Sequence, residues 1–361
     1  MRIMMNLIGG FLLFVILPCG TTESNAGKAE QQALFNVGYQ VLDLKYQKNG
    51  QEQTITVAVW YPTAAQPGLH NYGGPTKGSV ALGAMPLAES APYPLLVFSH
   101  GYGGSGLSAV FLTEALAAHG WVVACPDHHD KYSAVRIKTG REKDLDRKGF
   151  LQSAKEIVNS NPENREKYLY RLDEMRAVLD GILASGPFGK LIDKNRVAAG
   201  GHSFGGFTAL GVSGTIKEYY APRVKAILLF STGAGAYLFR DEELAAVQIP
   251  SMLFMGEREE KQVRGSKTMQ ELSNRIFNNL PLPKYFLTVK GANHFSFNDR
   301  LTDIPRIIPL SGTEEQFEVI RKYSIAFLEK YIAGKQTQDK ILENSDPMLT
   351  HYLMEPGLNK K

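Results

Sequence analysis

The chain has 361 residues, enough to bury one large core of about 250–300 residues with extensions. Its 43% hydrophobic and 21% charged residues exclude a disordered or fibrous protein. A net charge of +4 without a basic stripe argues against nucleic acid as a partner.

Arg2 precedes an apolar run, 7–17, that is too short for a comfortable membrane span. Ser24-Asn25-Ala26 then offers small side chains where signal peptidase needs them. Residues 1–26 therefore read as a secretory signal peptide cut after Ala26, giving an exported (periplasmic or secreted) product with no stable membrane span. An uncleaved N-terminal anchor is the alternative. Cys19 also suggests a lipoprotein, but Pro18 is a poor match to the small residue expected before a lipidated cysteine. Cleavage leaves Cys125 as the only cysteine, hence no internal disulfide. Its apolar run, 121–125, reads as a buried strand.

Residues 27–334 read as one domain. After a leader at 27–36, segments 37–46 and 54–61 alternate apolar and polar residues around Asn49-Gly50, which predicts an antiparallel hairpin. Residues 62–93 lack periodicity and read as a long loop. Strand 94–98, a helix over 107–119 and strand 121–125 follow. The charged stretch 131–165 interrupts this alternation and reads as a lid or insertion. A helix over 169–182 leads to strand 196–199. Strands at 224–230, 251–255 and 285–289, with helices at 266–279 and 314–332, complete the domain. The polar segment 335–361 reads as a loosely attached tail. There is no internal repeat. Apolar strands alternating with helices imply an α/β fold, with a mostly parallel central sheet covered by helices on both faces.

Gly201-His202-Ser203-Phe204-Gly205 fits the pattern G-x-S-x-G between a strand and a small-residue helix. That context makes Ser203 a candidate nucleophile on a strained turn. A serine hydroxyl needs a base, and the base an orienting acid. In this architecture the chain order is serine, carboxylate, histidine. Only His294 and His351 follow Ser203; His294 directly follows a strand and is the candidate base, whereas His351 lies in the tail. His202 reads as a packing or hydrogen-bonding residue. Strand 251–255 ends in Gly256-Glu257-Arg258-Glu259-Glu260. Glu259 has the best spacing for the acid, with Glu257 and Glu260 as alternatives; a solvated charge run is the default for such a cluster. An oxyanion hole needs two backbone N–H groups. Phe204 supplies one, and Tyr102 in the glycine-rich loop 99–104 supplies the other, with Gly101 lining the substrate. Phe295, with Phe204, Tyr102 and Phe297, is expected to surround the site with aromatic surface that suits an apolar acyl group.

The segments "VWYPT" (59–63), "PLLVFSHGYGG" (94–104), "HGWVVACPDHHD" (119–130), "GHSFGG" (201–206) and "GANHFSF" (291–297) resemble the α/β-hydrolase superfamily over about 55–330. Within it the likeness is to platelet-activating-factor acetylhydrolases and dienelactone-hydrolase-like esterases, and more distantly to cutinase-type polyester hydrolases. The resemblance implies an α/β-hydrolase fold. It also places the acid of the acetylhydrolases after the strand that follows the nucleophile helix. Here that strand ends in Ser231-Thr232-Gly233, with no carboxylate until Asp241. This departure shifts the acid to the 257–260 loop. Asp127-His128-His129-Asp130 has ligand-type residues, but neighbours in a loop rarely converge on one ion, so no metal is expected.

The expected function is a cofactor-independent serine carboxylester hydrolase for short- to medium-chain or lipid-like esters. The alternatives are an amidase or peptidase using the same residues, and a catalytically silent binding protein of the same fold.

Overall fold

In the computed structural model the structure describes residues 34–259, 262–264, 267–302 and 310–357. The expected signal peptide, with Cys19 and the Ala26 cleavage point, lies outside them. So does Glu260.

The described residues begin with β1 (Asn36–Lys48) and β2 (Gln51–Thr63), joined in register by Lys48 opposite Gln51. Asn49 and Gly50 take φ of 51° and 76°, the double positive φ of a two-residue hairpin turn, as the sequence implies. A second hairpin follows, β3 (Gly68–Gly73) and β4 (Thr76–Leu82). The expected loop at 62–93 is therefore corrected: half of it is strand, and β4 pairs in parallel with β1. Next come β5 (Tyr93–Ser99), α1 (Val110–Ala118) and β6 (Val122–Pro126). The 131–165 region holds the short pair β7 (Val135–Arg136) and β8 (Gly140–Arg141), then α2 (Arg147–Val158). After α3 (Tyr170–Ala184) come β9 (Ile192–His202), α4 (Phe204–Leu210), β10 (Val224–Phe230), α5 (Asp241–Ala245) and β11 (Ser251–Gly256). The small strands β12 (Gln262–Arg264) and β13 (Lys267–Thr268) precede α6 (Met269–Asn279) and β14 (Lys284–Val289). Last are α7 (Glu314–Leu328), α8 (Asp339–Leu342) and β15 (Leu349–Glu355). Capping boxes set the starts of α6 (Thr268 with Glu271) and α7 (Thr313 with Gln316).

Among the described residues, eleven strands form one sheet in the order β15-β14-β11-β10-β9-β5-β6-β2-β1-β4-β3. The stretch from β14 to β6 is parallel throughout. β15 adds antiparallel to β14. This corrects the loose tail expected at 335–361: Tyr352 lies opposite Leu287 as part of the sheet edge.

Parallel strands buried on both faces must be apolar at every position. β10 shows this. Ile227 and Leu229 pack into one core with Leu172, Met175 and Leu272, while Leu228 and Phe230 pack into the other with Leu112, Leu116 and Ile320. Both halves of the core thus brace the same strand tips. Among the described residues no helix is long and apolar enough to cross a membrane.

Phe230 is fully buried, and its ring meets those of Phe98, Phe254 and Phe297. Phe230→Ala is expected to cost about 3–5 kcal/mol in urea unfolding. Leu353→Ala, half-exposed on the edge strand, should cost well under half of that.

Candidate active site

β9 delivers Ser203 to the carboxyl edge of the sheet, where the backbone turns into α4 at φ 54°, ψ −117°. A left-handed φ at a non-glycine residue costs on the order of 1–3 kcal/mol, and neighbours must hold it. The Ser203 N–H donates to the Phe230 carbonyl at 2.8 Å, and the Gly206 N–H to the Ser203 carbonyl at 3.0 Å. Neither flanking glycine admits a side chain. A Cβ at Gly201 would stand 2.2 Å from the Gly205 carbonyl oxygen, and one at Gly205 1.9 Å from that of Ser99. The spacing read from the sequence is therefore a packing requirement.

The Ser203 hydroxyl oxygen lies 2.9 Å from His294 Nε2. The loop carrying His294 is braced from three sides. Arg258 N–H donates to the Ala292 carbonyl (2.8 Å), Gly291 N–H to Glu257 Oε2 (2.7 Å), and Gln316 Nε2 to the Lys290 carbonyl (3.0 Å). His202 Nε2–H donates to the His294 carbonyl at 2.8 Å, in keeping with its expected supporting role. Burial, then the neighbouring His294, pushes the His202 pKa down to about 3.

His294 Nδ1 lies 2.6 Å from Ser231 Oγ and 3.3 Å from Glu259 Oε2. Glu259 is buried; its Oε1 accepts the Gly256 N–H at 2.7 Å and its Oε2 accepts the Ser231 hydroxyl. Of the two candidate glutamates among the described residues, Glu259 therefore faces His294, and Glu257 is occupied with Gly291. His351 sits on β15 opposite Thr288, its ring against Phe286. Ser231 is the residue that sequence reasoning missed. Its segment was noticed only for lacking a carboxylate.

The 99–104 loop closes over the other side of Ser203. A Cβ at Gly101 would stand 3.3 Å from Ser203 Cβ. The Tyr102 ring stacks on Phe150 of α2 (5.7 Å between centroids) and meets Phe204 edge-on, and its hydroxyl bonds Ser153 Oγ at 2.6 Å. Ala134 N–H donates to the Gly103 carbonyl (2.9 Å) and Ser133 Oγ to the Gly104 carbonyl (2.7 Å). The 131–165 segment thus clamps this loop.

Behind the loop lies a fully buried ionic network. Arg171 donates to both Asp130 oxygens (2.9 and 2.5 Å) and to the His100 carbonyl (2.7 Å), and its guanidinium lies 4.6 Å from the centre of the Phe204 ring. Burial alone would raise the Asp130 pKa; the charge and hydrogen bonds of Arg171 overcome it and hold the carboxyl well below the usual range. His128 Nε2 pairs with Ser99 Oγ (2.8 Å) and Nδ1 with Glu174 Oε2 (2.7 Å). The four residues 127–130 do not converge on one point: His128 and His129 share Glu174, and the two aspartates face other groups. Asp127 accepts from Ser105, Gly106 and Ile137, while His129 meets Glu174 and Asp130 meets Arg171.

The expected aromatic surround is corrected. Phe204 and Phe297 are buried, the first against Tyr168 and Phe207, the second on Phe230. Phe295 is 42% exposed, and Tyr102 is partly exposed, so these two remain as aromatic surface at the site.

A ferulic acid esterase structure from Streptomyces cinnamoneus is similar over 90% of this chain and 95% of its own, with a TM-score of 0.65 and 22% identity. The chain has the α/β-hydrolase fold. The family model described as platelet-activating factor acetylhydrolase, isoform II, matches residues 69–185, which hold the 99–104 loop but neither Ser203 nor His294. The platelet-activating factor acetylhydrolase of Cavia porcellus is 28% identical over 73% of this chain and 64% of its own length. The match thus spans less than two thirds of that relative. Cutinase est2 of Thermobifida alba is 25% identical over 68% of this chain and 61% of its own. The likeness read from the motifs to esterases of this fold is borne out.

Three buried histidines, His100, His128 and His202, have pKa values lowered first by burial. Each is harder to protonate in the folded chain than in the unfolded one, which takes up a proton below about pH 6.5. Their stabilising contribution is complete above that pH and is lost as pH falls through the window down to the folded values. His129, raised chiefly by its bond to Glu174, works in the opposite sense but is half-exposed. Unfolding free energy measured in urea should fall between pH 6.5 and 4.5, by at most on the order of 1 kcal/mol per pH unit for each of these histidines, offset in part by Asp299, whose carboxyl pKa is raised by burial to about 7 and which therefore acts in the opposite sense.

Proposed function

We propose that this protein is a serine carboxylester hydrolase acting on short- to medium-chain acyl esters or lipid-like esters, exported through its N-terminal signal sequence. The observation that carries this reading is the 2.9 Å contact of Ser203 Oγ with His294 Nε2, made by a serine on a strained strand–helix turn. The acetylhydrolases, the cutinases and the ferulic acid esterase it resembles support ester chemistry.

In this mechanism His294 Nε2 takes the Ser203 proton as Oγ attacks the ester carbonyl carbon. The carbonyl π electrons move to oxygen, and the backbone N–H groups of Phe204 and Tyr102 receive the oxyanion. The intermediate collapses to an acyl-serine, and His294 returns the proton to the departing alcohol. Water, activated by the same histidine, then releases the acid. Glu259 supports the imidazolium that forms in each half-reaction. Tyr102 and Phe295 offer the apolar surface for the acyl chain.

Intact mass after treatment with a fluorophosphonate should show one adduct on the wild type and none on Ser203→Ala. No adduct on folded wild type overturns the reading. Ser203→Ala should lower kcat on p-nitrophenyl butyrate by at least ~10⁴-fold.

Among the acidic residues, Glu259→Gln should reduce kcat by roughly 10²–10⁴-fold. Glu257→Gln, which still offers a carbonyl to the Gly291 N–H, should stay within about tenfold of the wild type. Equal small losses for both would remove Glu259 from its role.

A further inference from the structure

Between Glu259 and His294 stands a hydroxyl that the reaction scheme above does not use. Ser231 follows the last residue of β10 and is fully buried. Its backbone is left-handed, with φ 47°, and its N–H donates to the Phe254 carbonyl at 2.8 Å. This holds Oγ between the two side chains: Oγ bonds Glu259 Oε2 and lies 2.6 Å from His294 Nδ1, nearer than the carboxylate itself at 3.3 Å.

The proton count sets the direction of these bonds. An ionised carboxylate only accepts, so the single Ser231 proton points to Glu259. Ser231 then has only lone pairs to offer Nδ1, which must carry its proton and donate. A neutral imidazole has one N–H, so Nε2, facing Ser203, is left with the free lone pair. That is the tautomer in which His294 can accept a proton from Ser203. With Ser231 replaced by a residue lacking a hydroxyl, the only remaining partner for Nδ1 among these groups is the longer Glu259 contact.

We propose that Ser231 is a positioning residue that relays Glu259 to His294, so that the functional unit is Ser203–His294–Ser231–Glu259. This rests on the ester-hydrolase reading. The Ser231 and Nδ1 protons stay in place throughout, and the only proton transferred is the one that moves between Ser203 Oγ, Nε2 and the leaving alcohol or water.

The test uses the full chain and p-nitrophenyl butyrate. Ser231→Gly removes the hydroxyl while tolerating the positive φ, and Ser231→Ala is the second variant should the first lose cooperative thermal unfolding. The hydroxyl deletion should lower kcat by roughly 10–100-fold with KM within about twofold. In a Glu259→Gln background the same deletion should cost no more than about threefold, because the hydroxyl acts through the carboxylate. Ser231→Asp placed in the Glu259→Gln background puts a carboxylate beside Nδ1 and should recover at least about tenfold of the lost kcat. Full activity in the hydroxyl deletions, or equal losses in both backgrounds, overturns the proposal. A proton NMR spectrum reads the same bond without turnover. The low-field His294 Nδ1–H resonance of the wild type should move upfield in Ser231→Gly, and an unchanged resonance also overturns the proposal. An unreactive Ser203 in the wild type would count against the esterase reading alone, since the resonance reports on Ser231 regardless.

Discussion

The register of three parallel strands is the constraint from which the site follows. His202, Phe230 and Phe254 sit side by side on β9, β10 and β11. One step further, Ser203 N–H reaches the Phe230 carbonyl and Ser231 N–H reaches the Phe254 carbonyl. Two serines from different strands are thereby fixed at one level before any side chain is considered. A shift of one residue in either pairing would move the side chains to the opposite face. The fully buried strands leave no such freedom, since both faces of β10 are packed. Core packing therefore carries the cost of left-handed backbone at both Ser203 and Ser231.

A second layer of constraint lies under the 99–104 loop. Its carbonyls and side chains are held by Arg171, His128, Ser133 and Ala134, from α3, the 127–130 loop and the 131–165 segment. Buried ions are tolerated here because their hydrogen bonds are met: Asp130 accepts from Arg171, Tyr170 and Gly103. Such a network adds little net stability compared with apolar packing, but losing one partner leaves an uncompensated charge. It fixes the loop geometry instead. A backbone N–H aimed at a developing charge is effective when it needs no rearrangement at the moment of reaction.

Much of this was legible in the sequence, and the misses have physical causes. The parallel strands read clearly because burial on both faces demands apolar runs, and Ser203 read clearly because the turn demands glycines at fixed spacing. His294 and Glu259 followed from their places after strands. The β3–β4 hairpin was missed because its strands lie at the sheet edge, where exposed leucines such as Leu69 and Leu82 blur the alternation of apolar and polar residues. β15 was missed because the exposed polar residues Thr350 and His351 interrupt it. Phe204 and Phe297 were misplaced because proximity in sequence to Ser203 and His294 does not say which way a ring points. Ser231 was invisible, since a serine closing an apolar strand has no pattern; its significance comes only from three strands converging.

That convergence also accounts for a glutamate, rather than an aspartate, at position 259. Glu259 must reach two points at once, the Gly256 N–H of its own turn and the Ser231 hydroxyl at the end of the neighbouring strand. Its backbone is already tied, with the Glu259 N–H donating to the Gly256 carbonyl at 3.1 Å. An aspartate on this backbone would fall about one C–C bond, ~1.5 Å, short of the hydroxyl, well beyond the tolerance of a hydrogen bond. The serine and the longer acid are therefore matched parts. The hydroxyl occupies the place nearest Nδ1, and the carboxylate needs the extra methylene to meet it from the next strand.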